Sequence, residues 1–148
     1  MDRFESRFAR GRARGEALFV PFITLGDPDL DTSAALLKTL AAAGADALEL
    51  GLPFSDPCAD GPVIQKADKR ALKDGATTAD FLGLIADLRR SDPEIPISIL
   101  VYANVVIAHG PQNFFAKAAA AGIDTVLIPD VPVNRLDTCG NLEAQAAA

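Results

Sequence analysis

Glu49 and Asp60 bracket the stretch of this sequence best suited to chemistry, ALELGLPFSDPCADG over residues 47–61. Leu48, Leu50 and Leu52 alternate with Ala47, Glu49 and Gly51. On a strand of period two the leucines therefore share one face and Glu49 takes the other. With the leucine face against a helix layer, Glu49 is expected to point into a small enclosed space, where desolvation disfavours an ionised carboxylate and suits it to general acid/base work. Asp60 follows at the end of a proline-braced loop. One carboxylate on a rigid strand and one on a loop suit a reaction with two proton transfers at separate atoms. Plainer readings exist for both: a strand glutamate normally faces solvent, and an aspartate before Gly61-Pro62 caps the next helix.

The chain has 148 residues, 49% of them hydrophobic, enough to build one cored domain over 1–148. A net charge of -6 argues against nucleic-acid or anionic-membrane partners, which demand a basic patch. Arg3, Arg7, Arg10, Arg12 and Arg14 interleave with Asp2, Glu5 and Glu16, the pattern of a solvated helix rather than an import peptide. No apolar run is long enough to span a bilayer. Cys58 and Cys139 lack metal-ligand spacing and fit a reducing cytoplasm, the expected location. His109 has no serine or cysteine in triad-like company and reads as a surface or turn residue. Asp27, Asp56 and Asp130 follow strands and read as loop caps rather than ligands, so no metal site is expected.

The elements that must position the two acids follow in order. Phe4 and Phe8 share one face of an opening helix that ends by Gly15 and covers one end of the domain. A first strand is expected over 17–25, with Val20, Phe22 and Thr24 on one side, then a turn at Gly26-Asp27-Pro28. Leu36, Leu37 and Leu40 make the stripe of a helix from about Asp31, capped by Gly44. Pro62 starts another, and Thr77 or Thr78 a third, with Phe81, Leu84, Ile85 and Leu88 buried. A third strand is expected over 97–102, a helix from Gly110-Pro111 to Gly122, and a fourth strand over 125–129.

AAAGADALELGLPFSDP and AAAAGIDTVLIPDVPV share one order: alanine-rich helix, glycine, aspartate, strand, then a loop with Asp and Pro. Strands separated by helices imply parallel right-handed crossovers, in a (β/α) barrel or a doubly wound sheet. The first strand lacks a glycine-rich dinucleotide fingerprint, and polar residues gather after every strand, which favours the barrel. A full barrel takes about 250 residues, so the fold class expected is α/β, a half barrel comprising the first four βα units of a (β/α)8 TIM barrel. The tail from Asn134 reads as the start of a further helix, and the two outer strands as open edges.

VPFITLGDP, GADALELGLPFSDPCADGPVIQKA, VYANVV and PDVPV together resemble the alpha subunit of tryptophan synthase, over residues 1 to about 133. The resemblance implies a cofactor-free barrel lyase that cleaves indole-3-glycerol phosphate to indole and glyceraldehyde 3-phosphate. It implies Glu49 as the acid/base at carbon 3 of the ring and at the side-chain hydroxyl, and Asp60 as the partner of the ring nitrogen. Phe22, Leu100 and Leu127 match positions that hold the flat indole. The family works beside a pyridoxal-phosphate beta subunit in a heterotetramer, and Pro53, Asp56, Pro57, Asn104, Asp130 and Pro132 fall in loops that would face it. The later loops that bind substrate phosphate in such barrels are not among these residues, so weak or no turnover by this chain alone is expected, with docking on the beta subunit as the non-catalytic alternative.

Overall fold

The computed structural model describes residues 2–131; Pro132, Cys139 and the tail lie outside them. Helix α1 (Arg3–Arg14) is capped by Asp2, whose carboxylate accepts from Phe4 N at 2.9 Å. Phe4 and Phe8 meet edge to face at 5.7 Å, as their spacing predicts. Arg3 bonds Asp124 at 2.6 Å and the Pro93 carbonyl at 2.8 Å. These two residues precede strands, so α1 covers the end where strands begin.

The remaining elements are β1 (Phe22–Thr24), α2 (Leu30–Ala42), β2 (Leu48–Gly51), α3 (Pro62–Ala71), α4 (Thr78–Ser91), β3 (Ile97–Leu100), α5 (Ala103–His109), α6 (Pro111–Ala120) and β4 (Thr125–Leu127). All pairings are parallel and the order is β1-β2-β3-β4. A doubly wound sheet reverses its strand order at a switch point. The order here never reverses, so the architecture is that of four consecutive βα units of a (β/α)8 barrel.

Local chemistry explains most boundaries. Asp29 accepts from Thr32 N at 2.7 Å and opens α2. Thr77 and Asp80 form a reciprocal capping box at α4, and Pro62 sits in the first turn of α3, where its missing N–H costs nothing. Strand β1 is shorter than the 17–25 expected. Pro21 has no N–H to donate, and Phe19 exchanges bonds of 2.8 Å with Asp46 through that residue's side chain and backbone N–H, before the regular ladder starts at Phe22. Strands β3 and β4 also end before their expected limits, and α5 carries no helical signal in the sequence. Two turns beginning inside an apolar run leave no helical period to read.

The core lies on the leucine face of the sheet. Leu48, Leu50, Ile97 and Ile99 are fully buried there with Leu37 of α2, Phe81, Ile85 and Leu88 of α4, and Phe114 and Ala118 of α6. One polar knot closes its base. Arg89 of α4 donates to the carbonyls of Ile95 (2.7 Å), Pro93 (3.0 Å) and Gly122 (2.8 Å) and to Asp124 Oδ2 (3.0 Å), which also accepts from Ile97 N at 2.9 Å. Gly122 must lack a side chain, since its φ is +83° and a Cβ would come within 2.6 Å of Arg89 Cγ.

Candidate functional site

Strand register decides which of the singled-out residues meet. Phe22 pairs with Glu49, Glu49 with Ser98, and Ser98 with Thr125; two residues on, Thr24, Gly51, Leu100 and Leu127 form the next row. Because side chains alternate, both rows project from the face opposite the leucine core. The structure thus brings Phe22, Glu49, Leu100 and Leu127 onto one surface. Gly51 leaves the space that the Phe22 ring enters, for a Cβ there would lie 2.8 Å from Phe22 Cζ. The enclosure expected around Glu49 is not reached: it is half-buried and Leu127 is 47% exposed. The helices of the core cover the other face only.

Asp60 does not cap α3. Gly61 occupies the N-cap without a side-chain bond, and the Asp60 carboxylate is taken by a residue the sequence did not single out. Tyr102 donates its hydroxyl to Asp60 Oδ2 at 2.7 Å and accepts from Ala59 N at 3.0 Å. Its ring stacks on Phe54 at 5.3 Å. Burial, followed by the bond to Asp60, pushes the phenol up to about 12, so at neutral pH Tyr102 is a donor. Gln65 of α3 adds a bond of 2.9 Å to the Asp60 carbonyl. Tyr102 lies two residues past Leu100, so β3 and the loop after β2 jointly fix this carboxylate at the C-terminal end of the strands.

The remaining loop residues gather at that end. Asp56 is exposed and accepts from Ser55 Oγ at 2.6 Å; Pro57 is half-buried and Pro53 buried. Asn104 is exposed in the first turn of α5 rather than in a loop. Asp130 Oδ1 accepts from Ala103 N at 3.0 Å, the loop-capping role expected of it. Asp27 forms a fork with Arg70 at 2.6 and 2.8 Å. Among the described residues no three His, Cys, Asp or Glu side chains converge as metal ligands, and no helix is long and apolar enough to cross a membrane. His109 is exposed and bonds the Val105 carbonyl, and Cys58 is an exposed free thiol. A cleft of about 360 Å³ between Pro28 and Asp80 lies away from Glu49, and its Asp29 and Asp80 are occupied in capping α2 and α4.

Asp68 of α3 is the second residue the sequence did not reveal. Only 5% exposed, it is pushed from 3.8 up to about 6, first by burial and then by Asp60 and Asp27. A carboxyl raised on folding stabilises the native state fully below its unfolded value, and loses that contribution as pH rises through its folded value. Unfolding free energy should therefore fall by up to about 3 kcal/mol on this account between about pH 4 and 6. Urea midpoints across that range should slope less in Asp68→Asn than in the parent chain.

The family model described as "Tryptophan synthase alpha chain" matches residues 8–146, beyond the limit of about 133 set by the motifs. The chain is 53% identical over 134 residues to the tryptophan synthase alpha chain of Aliivibrio fischeri strain MJ11, covering 90% of this chain and 50% of that one. It is 52% identical over 133 residues to that of Escherichia coli strain SMS-3-5, with the same coverages. It thus spans about half the length of these curated relatives. A crystal structure of tryptophan synthase subunit alpha from Legionella pneumophila superposes with a TM-score of 0.91 at 34% identity, over 99% of this chain and 56% of that one. The tryptophan synthase complex from Pyrococcus furiosus gives 0.79 at 36% identity, over 87% and 52%.

Proposed function

Because the chain belongs to the tryptophan synthase alpha chain family, we propose that it supplies the two carboxylates of a lyase that splits indole-3-glycerol phosphate into indole and glyceraldehyde 3-phosphate. The observation that carries this reading is that Glu49 shares one sheet face with Phe22, Leu100 and Leu127. A flat aromatic ring laid on those three side chains brings a ring carbon to the carboxyl group between β1 and β3. Glu49, protonated, gives its proton to carbon 3 of the indole, and the ring becomes cationic. Asp60, held by Tyr102, accepts the ring N–H and offsets that charge. Glu49, now ionised, takes the proton from the side-chain hydroxyl. The bond from carbon 3 to the side chain then breaks, its electron pair returns to the ring, and the hydroxyl carbon leaves as an aldehyde. Each proton Glu49 gives is recovered, and the two carboxylates need no cofactor. Pyridoxal phosphate is assigned to a beta partner, which the end carrying Asp56, Pro57, Asn104 and Asp130 would face; the exposure of Asp56, Asn104 and Asp130 at one end of the strands supports that orientation.

In barrels of this kind the substrate phosphate is held by the loops after the seventh and eighth strands, and such anchoring is worth several kcal/mol of barrier. The test joins residues 2–131 to the second half of the Escherichia coli relative and measures indole release. The joined chain is expected to turn over, and the isolated chain to be slower by at least about 10³-fold. A joined chain that folds and yields no indole, or an isolated chain of equal rate, would count against the reading.

A further inference from the structure

We propose that Tyr102 is a positioning residue of this site, a clamp across the loop between β2 and α3 that keeps the Asp60 carboxylate at the strand ends and off the N-terminus of α3. The inference rests on the reading of Asp60 as the partner of the ring nitrogen, but part of its test needs no indole. Residues 52–61 form neither helix nor strand, and within them the loop is braced by Ser55 Oγ on Asp56 and by Asp60 N on the Pro57 carbonyl at 3.2 Å. Tyr102 reaches both ends of that loop. Its ring stacks on Phe54 at 5.3 Å with 29° between the planes, and its hydroxyl meets Ala59 N at 3.0 Å and Asp60 Oδ2 at 2.7 Å. The clamp is itself fixed from behind. Tyr102 is 2% exposed, its carbonyl accepts from Val105 N of α5 at 3.0 Å, and the N–H of the next residue, Ala103, is taken by Asp130 at 3.0 Å.

The Asp60 carboxylate has a competing place to go. Asp60 directly precedes Gly61, the N-cap of α3, which has no side chain to offer, and Pro62 follows it. The first N–H groups of a helix lack intrahelical acceptors, so those of Val63 and Ile64 draw a nearby carboxylate toward them. Among the described residues the Asp60 carboxylate accepts from Tyr102 alone, and that one bond decides between the two positions. The hydroxyl proton also has a set direction. Ala59 N–H occupies the oxygen as an acceptor, so its single proton is given to Asp60. Burial, then the bond to Asp60, pushes the phenol up to about 12, and the donor keeps its proton at neutral pH. With Oδ2 held, Asp60 presents Oδ1 to the ring N–H.

Tyr102→Phe removes the hydroxyl and keeps a ring against Phe54. Amide hydrogen exchange followed by NMR on the 148-residue chain should show Val63 or Ile64 slowed by about fivefold in this variant, as Asp60 swings onto α3, and restored in Tyr102→Phe/Asp60→Ala. Asp60→Ala alone should leave both amides as they are in the parent, a comparison that does not require Tyr102→Phe to fold. Exchange of the carbon-3 hydrogen of indole should slow by up to about 10²-fold in Tyr102→Phe, and Tyr102→Phe added to Asp60→Asn should slow it no further, whereas a purely structural tyrosine would slow both backgrounds alike. Amides of Val63 and Ile64 that ignore Tyr102→Phe, or that respond to Asp60→Ala in the parent, would overturn the proposal, as would losses that add in the double variant. Amides that respond as stated, in a chain that neither binds indole nor exchanges its hydrogen, would remove the functional reading and uphold the clamp.

Discussion

Replacing Glu49 with glutamine in the joined chain is expected to slow indole release by about 10²–10⁴-fold, the range typical of losing a general acid/base. Glutamine keeps the shape of the side chain and its place between Phe22 and Ser98, so folding and substrate binding should be little changed. The loss should then fall on kcat rather than KM, because the proton matters only as carbon 3 becomes tetrahedral and the hydroxyl is opened. Steady-state kinetics with circular dichroism as a folding control separates the outcomes. An equal loss in KM with kcat retained would make Glu49 a binding group and not the acid/base.

The other large effect lies far from the site. Arg89→Ala should cost about 2–3 kcal/mol of stability, because it frees the carbonyls of Ile95 and Gly122 at once and leaves Asp124 with Arg3 and the Ile97 N–H as its remaining partners. Lysine should rescue little, since a single ammonium cannot serve the β3 approach and the α6–β4 turn together as the planar fork does. Urea unfolding of the two variants tests both statements. A loss below about 1 kcal/mol in Arg89→Ala would show that the knot is ornamental to the fold.

Much of this could be read from the residues, for a physical reason. Alternation along 47–52 has period two, so the opposition of Glu49 to the leucines needed only local geometry, and the four-strand register bore it out. Helix starts at Pro62 and Thr77 announced themselves through capping chemistry, whereas α2 starts at Leu30 under an Asp29 cap, just ahead of the Asp31 expected. What stayed hidden depends on contacts between distant segments. Tyr102 looked like the end of an apolar strand, and its bond to Asp60 spans 42 positions. Asp68 carries no local mark of burial in the sequence, and it is the fold that leaves it 5% exposed. Arg89 likewise carries no local mark, since its partners Ile95, Gly122 and Asp124 come together only in the fold. The motif GADALELGLPFSDPCADGP offered a signal for the first of these, since a loop aspartate carried so far from its strand must be held by something. Glu49 is less enclosed than its alternation implies, because a strand's pattern shows that it has two faces but not how much each is covered.

In the proposed reaction the central step is delivery of a proton from Glu49 to an indole ring seated on this sheet face, and that step should need neither phosphate nor partner. Exchange of the carbon-3 hydrogen of free indole for deuterium, followed by proton NMR in heavy water with the 148-residue chain, measures it. The prediction is exchange above the buffer rate that disappears in Glu49→Gln and persists, weakened, in Asp60→Asn. Equal exchange in the parent chain and in Glu49→Gln, or bound indole that keeps its carbon-3 hydrogen at the buffer rate, would contradict it.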